Sequence, residues 1–273
     1  HFDKSDDIAG QDSCALIDDN GDVVGGDETI WDMPWTTIDA KSENYGADLR
    51  YQFSDNWEFA AGYNKQHNER ERWESKPQTS SYEPDTGRYK NKPYNKLEDW
   101  VQQAFYFDFV GSIELAGMQH ELLIGGNYVD HQYSSLKVKG KMGSGNISSG
   151  FIASQPDFDY ADAKASSDEY QYYGVFAQDL ISLNDEWQVL LGTRYDQQDK
   201  TDADSYSVLP KFGVVYHPVE NASLYANYSV SFEPQGSILD SEDGSYGLEL
   251  DPIKGKMVEL GTKWEFLSGR IRL

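Results

Sequence analysis

The chain has 273 residues, a formal net charge of −24, a sequence pI near 4.4 and a mean hydropathy of −0.71. A disordered chain can be this acidic, but such chains are poor in aromatic residues, whereas 14% of the residues here are aromatic. The charge argues against nucleic acid, whose binding depends on Lys and Arg neutralising phosphates. No apolar run approaches the roughly 20 residues of a membrane helix. The acidic surplus fits solvation of long surface loops, or else a cationic ligand or divalent ions.

The chain contains one cysteine, Cys14, so either this thiol is free or its partner lies outside the sequence. His1 is not an initiator residue and no signal peptide precedes it. The last residues, Ile271-Arg272-Leu273, read as the middle of a strand. We therefore expect a segment of a longer polypeptide.

Near the amino terminus, Asn20-Gly21 lies between the apolar runs 15–17 and 23–24 and predicts a hairpin with a primed turn. The same segment, Asp18 to Asp22, resembles a calcium loop, but it lacks the full spacing and the terminal Glu of such loops. A small hairpin within a loop is the interpretation that the residues favour.

Alternation of apolar and polar residues with period two, the pattern of a β-strand, recurs along the rest of the chain. In the first strand Tyr45, Leu49 and Tyr51 lie on one face, and Asp48 and Arg50 lie on the other. The alternating segments are 44–53, 57–64, 100–109, 121–128, 187–196, 224–232 and 258–266. A half-buried soluble sheet would alternate in the same way, so the connections must decide between the two classes.

Short and long connections follow one another. Short turns are predicted at 54–56, 111–117, 184–185, 218–221 and 267–269, long polar loops at 74–96, 139–167 and 235–251, and an intermediate connection at 200–205. This sorting is typical of an up-and-down membrane barrel. About ten strands are predicted, each near the roughly 9–11 residues that a tilted membrane strand requires. The predicted fold is all-β, an antiparallel transmembrane β-barrel present as an arc of a larger barrel.

Four motifs in the second half carry a resemblance to a known family. They are Gly174–Asp179, Gly192–Asp196, Leu224–Gln235, and Leu250-Asp251-Pro252 followed by Lys254-Gly255-Lys256 and Glu259–Lys263. In this order they resemble TonB-dependent siderophore receptors, particularly the ferrichrome and hydroxamate branch. The first half matches only through its strand pattern and through Asp130 and His131 at a strand end. Ile253 departs from the acidic residue that the family often carries there.

The resemblance implies that residues 1–273 are part of one receptor barrel, which in this family has about 22 strands. It implies a location in the outer membrane of a Gram-negative bacterium, contact with lipid and lipopolysaccharide, and a ferric siderophore as the transported ligand, with no cofactor. Energy would come from TonB through a plug that this sequence does not contain, and the closing strands are also absent. The alternatives are a TonB-dependent receptor for haem, cobalamin or a glycan, or a diffusion porin.

Two sets of candidate site residues follow. Rigid aromatic side chains supply contact area to a bulky chelate at little entropic cost, and the candidates are Trp31, Trp35, Trp73, Tyr82, Tyr89, Tyr94 and Tyr246. Trp73 is the best placed, where a long strand enters a loop. The charges expected to face the lumen or the plug are Arg50, Arg194, Asp196, Glu259 and Lys263. The alternative for both sets is structural: loop-packing or interfacial rings, and a lumen wall of mutually paired charges.

No catalytic or metal-binding motif is present in the sequence. It contains no Gly-x-Ser-x-Gly elbow, no His-Glu-x-x-His and no phosphate-binding glycine loop, and its five histidines show no ligand spacing. His131 beside Asp130 is the one adjacent acid–histidine pair, and a polar strand end explains it better than a general base. A barrel enzyme is therefore the weaker hypothesis, and we expect no enzymatic activity and no metal site.

Overall fold

The computed structural model describes residues 2–6, 24, 33–147, 154–200, 204–235, 248, 250–266 and 271–272. The predicted Asn20-Gly21 hairpin and Cys14 lie outside these residues. Twelve strands are present in the described part: β1 Phe2–Asp6, β2 Thr37–Ser54, β3 Trp57–Glu83, β4 Arg88–Leu115, β5 Met118–Lys139, β6 Gly143–Asn146, β7 Lys164–Ser182, β8 Trp187–Lys200, β9 Ser205–Val219, β10 Ala222–Glu233, β11 Ile253–Phe266 and β12 Ile271–Arg272. One short 3-10 turn, Tyr160–Asp162, accompanies them.

The strands pair in the order in which they occur in the chain. The sheet runs β1-β2-β3-β4-β5-β7-β8-β9-β10-β11-β12, and β6 pairs with β4 off this path. The β7–β8 ladder is antiparallel and unbroken from Tyr170 opposite Lys200 to Ser182 opposite Gln188. Sequential antiparallel pairing of this kind confirms the predicted all-β, up-and-down architecture. None of the described residues forms a helix that is long and apolar enough to cross a bilayer.

The chain divides into two compact units, and each of the strands β3, β4 and β5 contributes residues to both. The first unit comprises residues 1–45, 66–102 and 132–168, and the second comprises 46–65, 103–131 and 169–273.

The second unit contains most of the predicted apolar rows, and many side chains in these rows are exposed. On β11, Val258 and Leu260 are 72% and 77% exposed. Further exposed apolar side chains are Leu49, Tyr51, Phe53, Tyr63, Phe105, Val175, Leu191, Phe212 and Leu224. Within the described part of this unit the buried hydrophobic side chains are only Ala60, Leu209 and Ala222. The rows therefore pack against no second protein layer there, as a surface solvated by hydrocarbon requires.

Side chains of the second unit fill the space over glycines on neighbouring strands. A Cβ on Gly62 would overlap the ring of Tyr106, and one on Gly111 would overlap the indole of Trp57. The Tyr106 hydroxyl donates to Asp48 Oδ1 at 2.7 Å across the same glycine. Only glycine allows so close an approach of a ring to the backbone.

In the first unit, one prediction from the sequence is wrong. Residues 74–96 were predicted as a long polar loop, but β3 continues to Glu83 and β4 begins at Arg88. The turn between them is only Pro84–Gly87, where Gly87 has φ 68° and donates to Glu83 O at 2.8 Å. The hairpin is polar on both faces, so hydropathy alone does not distinguish it from a loop. Trp73 accordingly lies within β3 and not at its entry to a loop.

The remaining short turns that lie within the described residues follow the prediction with adjusted ends, and the turn predicted at 267–269 lies outside those residues. The turn predicted at 111–117 is confined to Ala116-Gly117, whose φ angles of 55° and 80° are typical of a type I′ hairpin. Strands end and restart at Ser54 and Trp57, at Ser182 and Trp187, and at Val219 and Ala222, which confirms three short turns. The long connection after β5 also stands, although it contains β6.

Candidate functional site

The first unit holds a buried carboxylate surrounded by cations, here called the Glu98 cluster: Arg70, Arg72, Lys96, Glu98 and Tyr133. Arg70 Nε donates to Glu98 Oε2 at 2.7 Å, and Lys96 Nζ lies 2.8 Å from Oε1. The Tyr133 hydroxyl donates to Oε1 at 2.9 Å, and Arg72 Nη2 donates to the same oxygen at 3.3 Å. The Glu98 side chain is only 3% exposed. Register brings these residues together from three adjacent strands, β3, β4 and β5.

Electrostatics keep this cluster charged. Burial acts to raise the pKa of Glu98, but the hydrogen bonds from Arg70, Lys96 and Tyr133 outweigh it and lower the pKa to about 2. Burial likewise acts to lower the pKa of Lys96, and its bonds to Glu98 and Tyr133 outweigh that effect and raise it. Charge-assisted hydrogen bonds of this kind are the strong ones in proteins.

Aromatic rings accompany the cations, and together they form what we call the cation–aromatic strip: Arg70, Arg72, Lys76, Lys96 and Lys137 with Tyr94, Trp100 and Tyr133. The Arg70 guanidinium lies 5.3 Å from the centre of the Trp100 ring, and Lys96 Nζ lies 5.6 Å from that of Tyr133. Lys137 and Lys76 approach the Tyr94 ring at 4.0 Å and 5.9 Å. Cations this close to ring centres are within the range of cation–π attraction.

A second polar group in the first unit was not visible in the sequence. His67 Nε2 lies 2.8 Å from Asp99 Oδ2, and one ligand atom each from His67, Glu69 and Asp99 fall within 4.8 Å of one another. This spacing would suit a metal ion, but Lys41 Nζ also lies 3.6 Å from Glu69 and competes for that carboxylate. Glu69 and Asp99 contribute to the wall of a cleft of about 760 Å³.

The predicted ligand-binding aromatics divide into three groups. Trp31 and Tyr246 lie outside the described residues. Trp35 is half-buried beside a cavity of about 290 Å³ that Asn91 also lines. Asn91 is 1% exposed, and neither polar atom of its side chain has a hydrogen-bond partner in the described part of the chain. Sequence reasoning did not single out Asn91.

The other four aromatics lie on the β3–β4 hairpin. The Trp73 ring packs edge-on against Phe158 at 5.0 Å. Tyr82 packs against Tyr89, which is 7% exposed, and Tyr94 is 6% exposed. The hairpin therefore brings these rings onto one pair of strands, but much of their surface is already used in internal packing.

The charges predicted to face a lumen or plug lie in the second unit and are paired there. Arg194 Nε lies 2.7 Å from Asp196 Oδ1, and its Nη2 donates to Asn127 Oδ1 at 2.6 Å. Arg50 Nη1 lies 3.3 Å from Glu58 Oε1.

On β10 and β11 the pairing continues. Glu259 accepts from Tyr225 at 2.9 Å and from Asn227 at 2.8 Å, and Lys263 Nζ lies 5.4 Å from the centre of the Tyr225 ring. These contacts give each residue a structural role. That the same residues contact a plug stays a prediction.

His131, the histidine of the adjacent acid–histidine pair, stacks on Tyr170 with ring centres 4.7 Å apart. Its ring is thus engaged in packing within the second unit. This contact suits the polar strand end that the sequence favoured.

The comparisons with known proteins agree with this architecture. The family model described as TonB dependent receptor-like, beta-barrel, matches residues 2–273. The chain therefore belongs to the TonB-dependent receptor family, whose barrels lie in the outer membrane of Gram-negative bacteria.

Curated relatives are similar along most of the chain. It is 22% identical over 253 residues to the metal-pseudopaline receptor CntO of Pseudomonas aeruginosa, covering 86% of this chain and 35% of that protein. It is 27% identical over 272 residues to the ferric-pyoverdine M114 receptor PbuA of Pseudomonas sp., covering 89% of this chain and 32% of that protein. The chain thus spans about a third of the length of these relatives.

Solved structures show the same fold. The ferripyoverdine receptor of the outer membrane of P. aeruginosa superposes with a TM-score of 0.79 at 19% identity, covering 95% of this chain and 35% of that one. The match to the family model and the larger solved barrel confirm the prediction that this chain forms part of a larger barrel. The ferrichrome-type branch is not distinguished by these relatives.

Proposed function

We propose that the protein is an outer-membrane receptor that captures ferric siderophores and imports them with energy supplied through TonB. The observation that carries the proposal is the match of residues 2–273 to the receptor barrel, together with relatives named for pyoverdine and ferrioxamine B. The described residues form one part of a single barrel domain, and lipid and lipopolysaccharide cover its exposed apolar rows.

The first unit supplies the binding surface in this proposal. Trp35, Trp73, Tyr82, Tyr89 and Tyr94 offer rigid rings of the kind that bind a bulky chelate, and Trp31 and Tyr246 belong to the same candidate set. The Glu98 cluster holds β3 and β4 in register through ion pairs of 2.7–2.9 Å, and the Tyr133 hydroxyl of β5 joins it through a hydrogen bond of 2.9 Å. A rigid wall of this kind lowers the ordering cost of binding.

The lumen charges have a second part in the proposal. Arg50, Arg194, Asp196, Glu259 and Lys263 form the polar surface of the second unit that a plug would contact. TonB would act through that plug. No chemical reaction is assigned to the chain, and the siderophore is a transported ligand and not a cofactor.

The test is growth on defined iron sources. Deleting the gene should abolish growth of an iron-starved culture on at least one ferric siderophore, and a plasmid copy should restore it. The same growth should fail when TonB is depleted. Unchanged growth on all ferric siderophores, with lost uptake of haem, cobalamin or a glycan, would assign another nutrient. Lost permeation of small sugars without any TonB dependence would assign a porin.

The relative named for metal-pseudopaline adds one alternative within the same class. A chelate of a metal other than iron would then be the ligand. Repeating the growth assay with uptake of radioactive nickel, cobalt and zinc chelates distinguishes the two, because a ferric receptor leaves those uptake rates unchanged on deletion.

A further inference from the structure

We infer that the chelate bound by this receptor carries a net negative charge, and that the cation–aromatic strip of the first unit is the surface that selects it. The inference rests on the proposed receptor function and deepens it by naming the charge class of the ligand.

The strip gathers positive charge in a chain that has little. The whole sequence has 23 Lys and Arg against 47 Asp and Glu, yet five cations lie on the adjacent strands β3, β4 and β5. Arg70, Arg72 and Lys96 are held by the buried Glu98, and Arg72 also pairs with Glu74 at 2.9 Å. The two carboxylates that these cations contact thus leave the strip with a surplus of positive charge.

Lys76 and Lys137 carry most of that surplus. Among the described residues neither has a carboxylate within ion-pair distance, and both approach the face of one ring, that of Tyr94. Lys76 is exposed and Lys137 is half-buried. Burial, followed by repulsion from Lys96 and Lys76, lowers the pKa of Lys137. Like charges held together in this way repel each other, and a bound anion would relieve the repulsion.

The rings indicate which kind of anion fits. Tyr94, Trp100 and Tyr133 each lie beneath a cation. Tyr94 is buried, but Trp100 and Tyr133 are only half-buried, so flat apolar surface remains accessible beside the positive groups. A bulky anionic iron chelate presents negatively charged oxygens and organic surface together, and the ammonium groups of Lys76 and Lys137 can donate to such oxygens. A lipid phosphate would bind to the cations and would have no use for the rings. We therefore assign the strip to a chelate.

The experiment compares chelates of different charge on the intact receptor. Quenching of tryptophan fluorescence measures binding of three ferric complexes: an anionic tris-catecholate, a neutral tris-hydroxamate and a tris-hydroxamate with an ammonium tail. The double variant K76Q/K137Q removes two charges without touching the buried carboxylates. The control K164Q/K254Q removes two exposed charges outside the strip. Heat-modifiable electrophoretic mobility checks that each variant forms its barrel.

The expected result is that the wild type binds the anionic chelate at least about tenfold more tightly than the other two. The K76Q/K137Q variant should lose about tenfold for the anionic chelate, and high salt should reduce the difference, because the strip is partly solvated. Binding of the neutral chelate should change less than about twofold. The control variant should match the wild type with all three chelates.

Four results would overturn the inference. Equal or tighter binding of the neutral or ammonium-bearing chelate refutes the charge assignment and leaves the receptor function standing. A K76Q/K137Q variant that behaves like the control has the same consequence. Displacement of the anionic chelate by purified lipopolysaccharide, with lipopolysaccharide binding weakened in K76Q/K137Q, makes the strip a lipid phosphate site. If no ferric chelate binds at all, the proposed function fails and the inference with it.

Discussion

Replacing Glu98 with Gln tests whether the buried ion cluster holds the first unit together. The change removes the carboxylate that accepts hydrogen bonds from Arg70, Arg72, Lys96 and Tyr133. The pKa of Glu98 lies at about 2 against an ordinary 4.5, and each unit corresponds to about 1.4 kcal/mol. Removing one partner of a buried ion pair typically costs about 3–5 kcal/mol. We expect Glu98→Gln to lower the free energy of unfolding of the first unit by about 3 kcal/mol. This value is near the lower end of the range because Arg70 keeps partial contact with solvent.

Hydrogen–deuterium exchange of the intact receptor measures this loss locally. A reduction of about 3 kcal/mol in the opening free energy speeds amide exchange in β3 and β4 by on the order of a hundredfold. The matched control is Glu69→Gln on the same hairpin, whose carboxylate is 50% exposed and pairs with Lys41 at 3.6 Å. Exposed pairs contribute about 0–1 kcal/mol. Exchange that rises equally in the two variants would refute the reasoning.

The same cluster predicts a pH window. The pKa of Glu98 is lower in the folded protein than its ordinary value, so its stabilisation is complete above that ordinary value and is lost as the pH falls toward about 2. Protection of β3 and β4 should therefore be constant from neutral pH to about 5 and should fall below about 4.5. In Glu98→Gln this acid-dependent fall should be absent, and its persistence there would assign the effect to other carboxylates.

Three further predictions concern the other surfaces. Leu191→Arg places a charge in an exposed apolar row and should lower the free energy of unfolding by about 2–4 kcal/mol at mid-bilayer depth. Urea unfolding in lipid vesicles measures this, with Leu191→Ala as the control, and a loss as small as that of alanine would argue against lipid there. Gly62→Ala should force the Tyr106 ring away and lower the yield of folded barrel, seen as reduced heat-modifiable mobility, and a normal yield would show that the ring can move. Trp73→Ala removes the edge-on contact with Phe158 and should speed proteolysis of the connection after β5 severalfold, whereas unchanged cleavage would place its stability elsewhere.

The strand pattern was readable from the sequence because alternation with period two is a local property. Leu49, Tyr51 and Phe53 are exposed on one face, as the alternation predicts, and turn residues such as Ala116-Gly117 define the ends of strands. The β3–β4 hairpin was missed for a related reason. From Trp73 to Tyr89 both faces are polar, so the contrast between faces on which alternation depends is absent.

The candidate site could not be read in the same way, because it depends on register. Arg70 and Tyr133 reach Glu98 from 28 and 35 residues away, and a shift of one residue in either ladder would turn these side chains to opposite faces. His67 and Asp99 meet for the same reason, although no ligand spacing is visible along the chain. Aromatic residues could be predicted as candidates by type, but their partners could not.

The rings that lie over glycines on neighbouring strands have an evolutionary consequence. Since Tyr106 occupies the volume that a methyl group on Gly62 would need, neither position can drift alone: a larger residue at 62 is tolerated only when 106 becomes small. The same reciprocity links Gly111 with Trp57. Aligned sequences of close homologues should therefore show glycine and ring exchanging places across the strand pair, a pattern of covariation that would reveal the register where hydropathy does not.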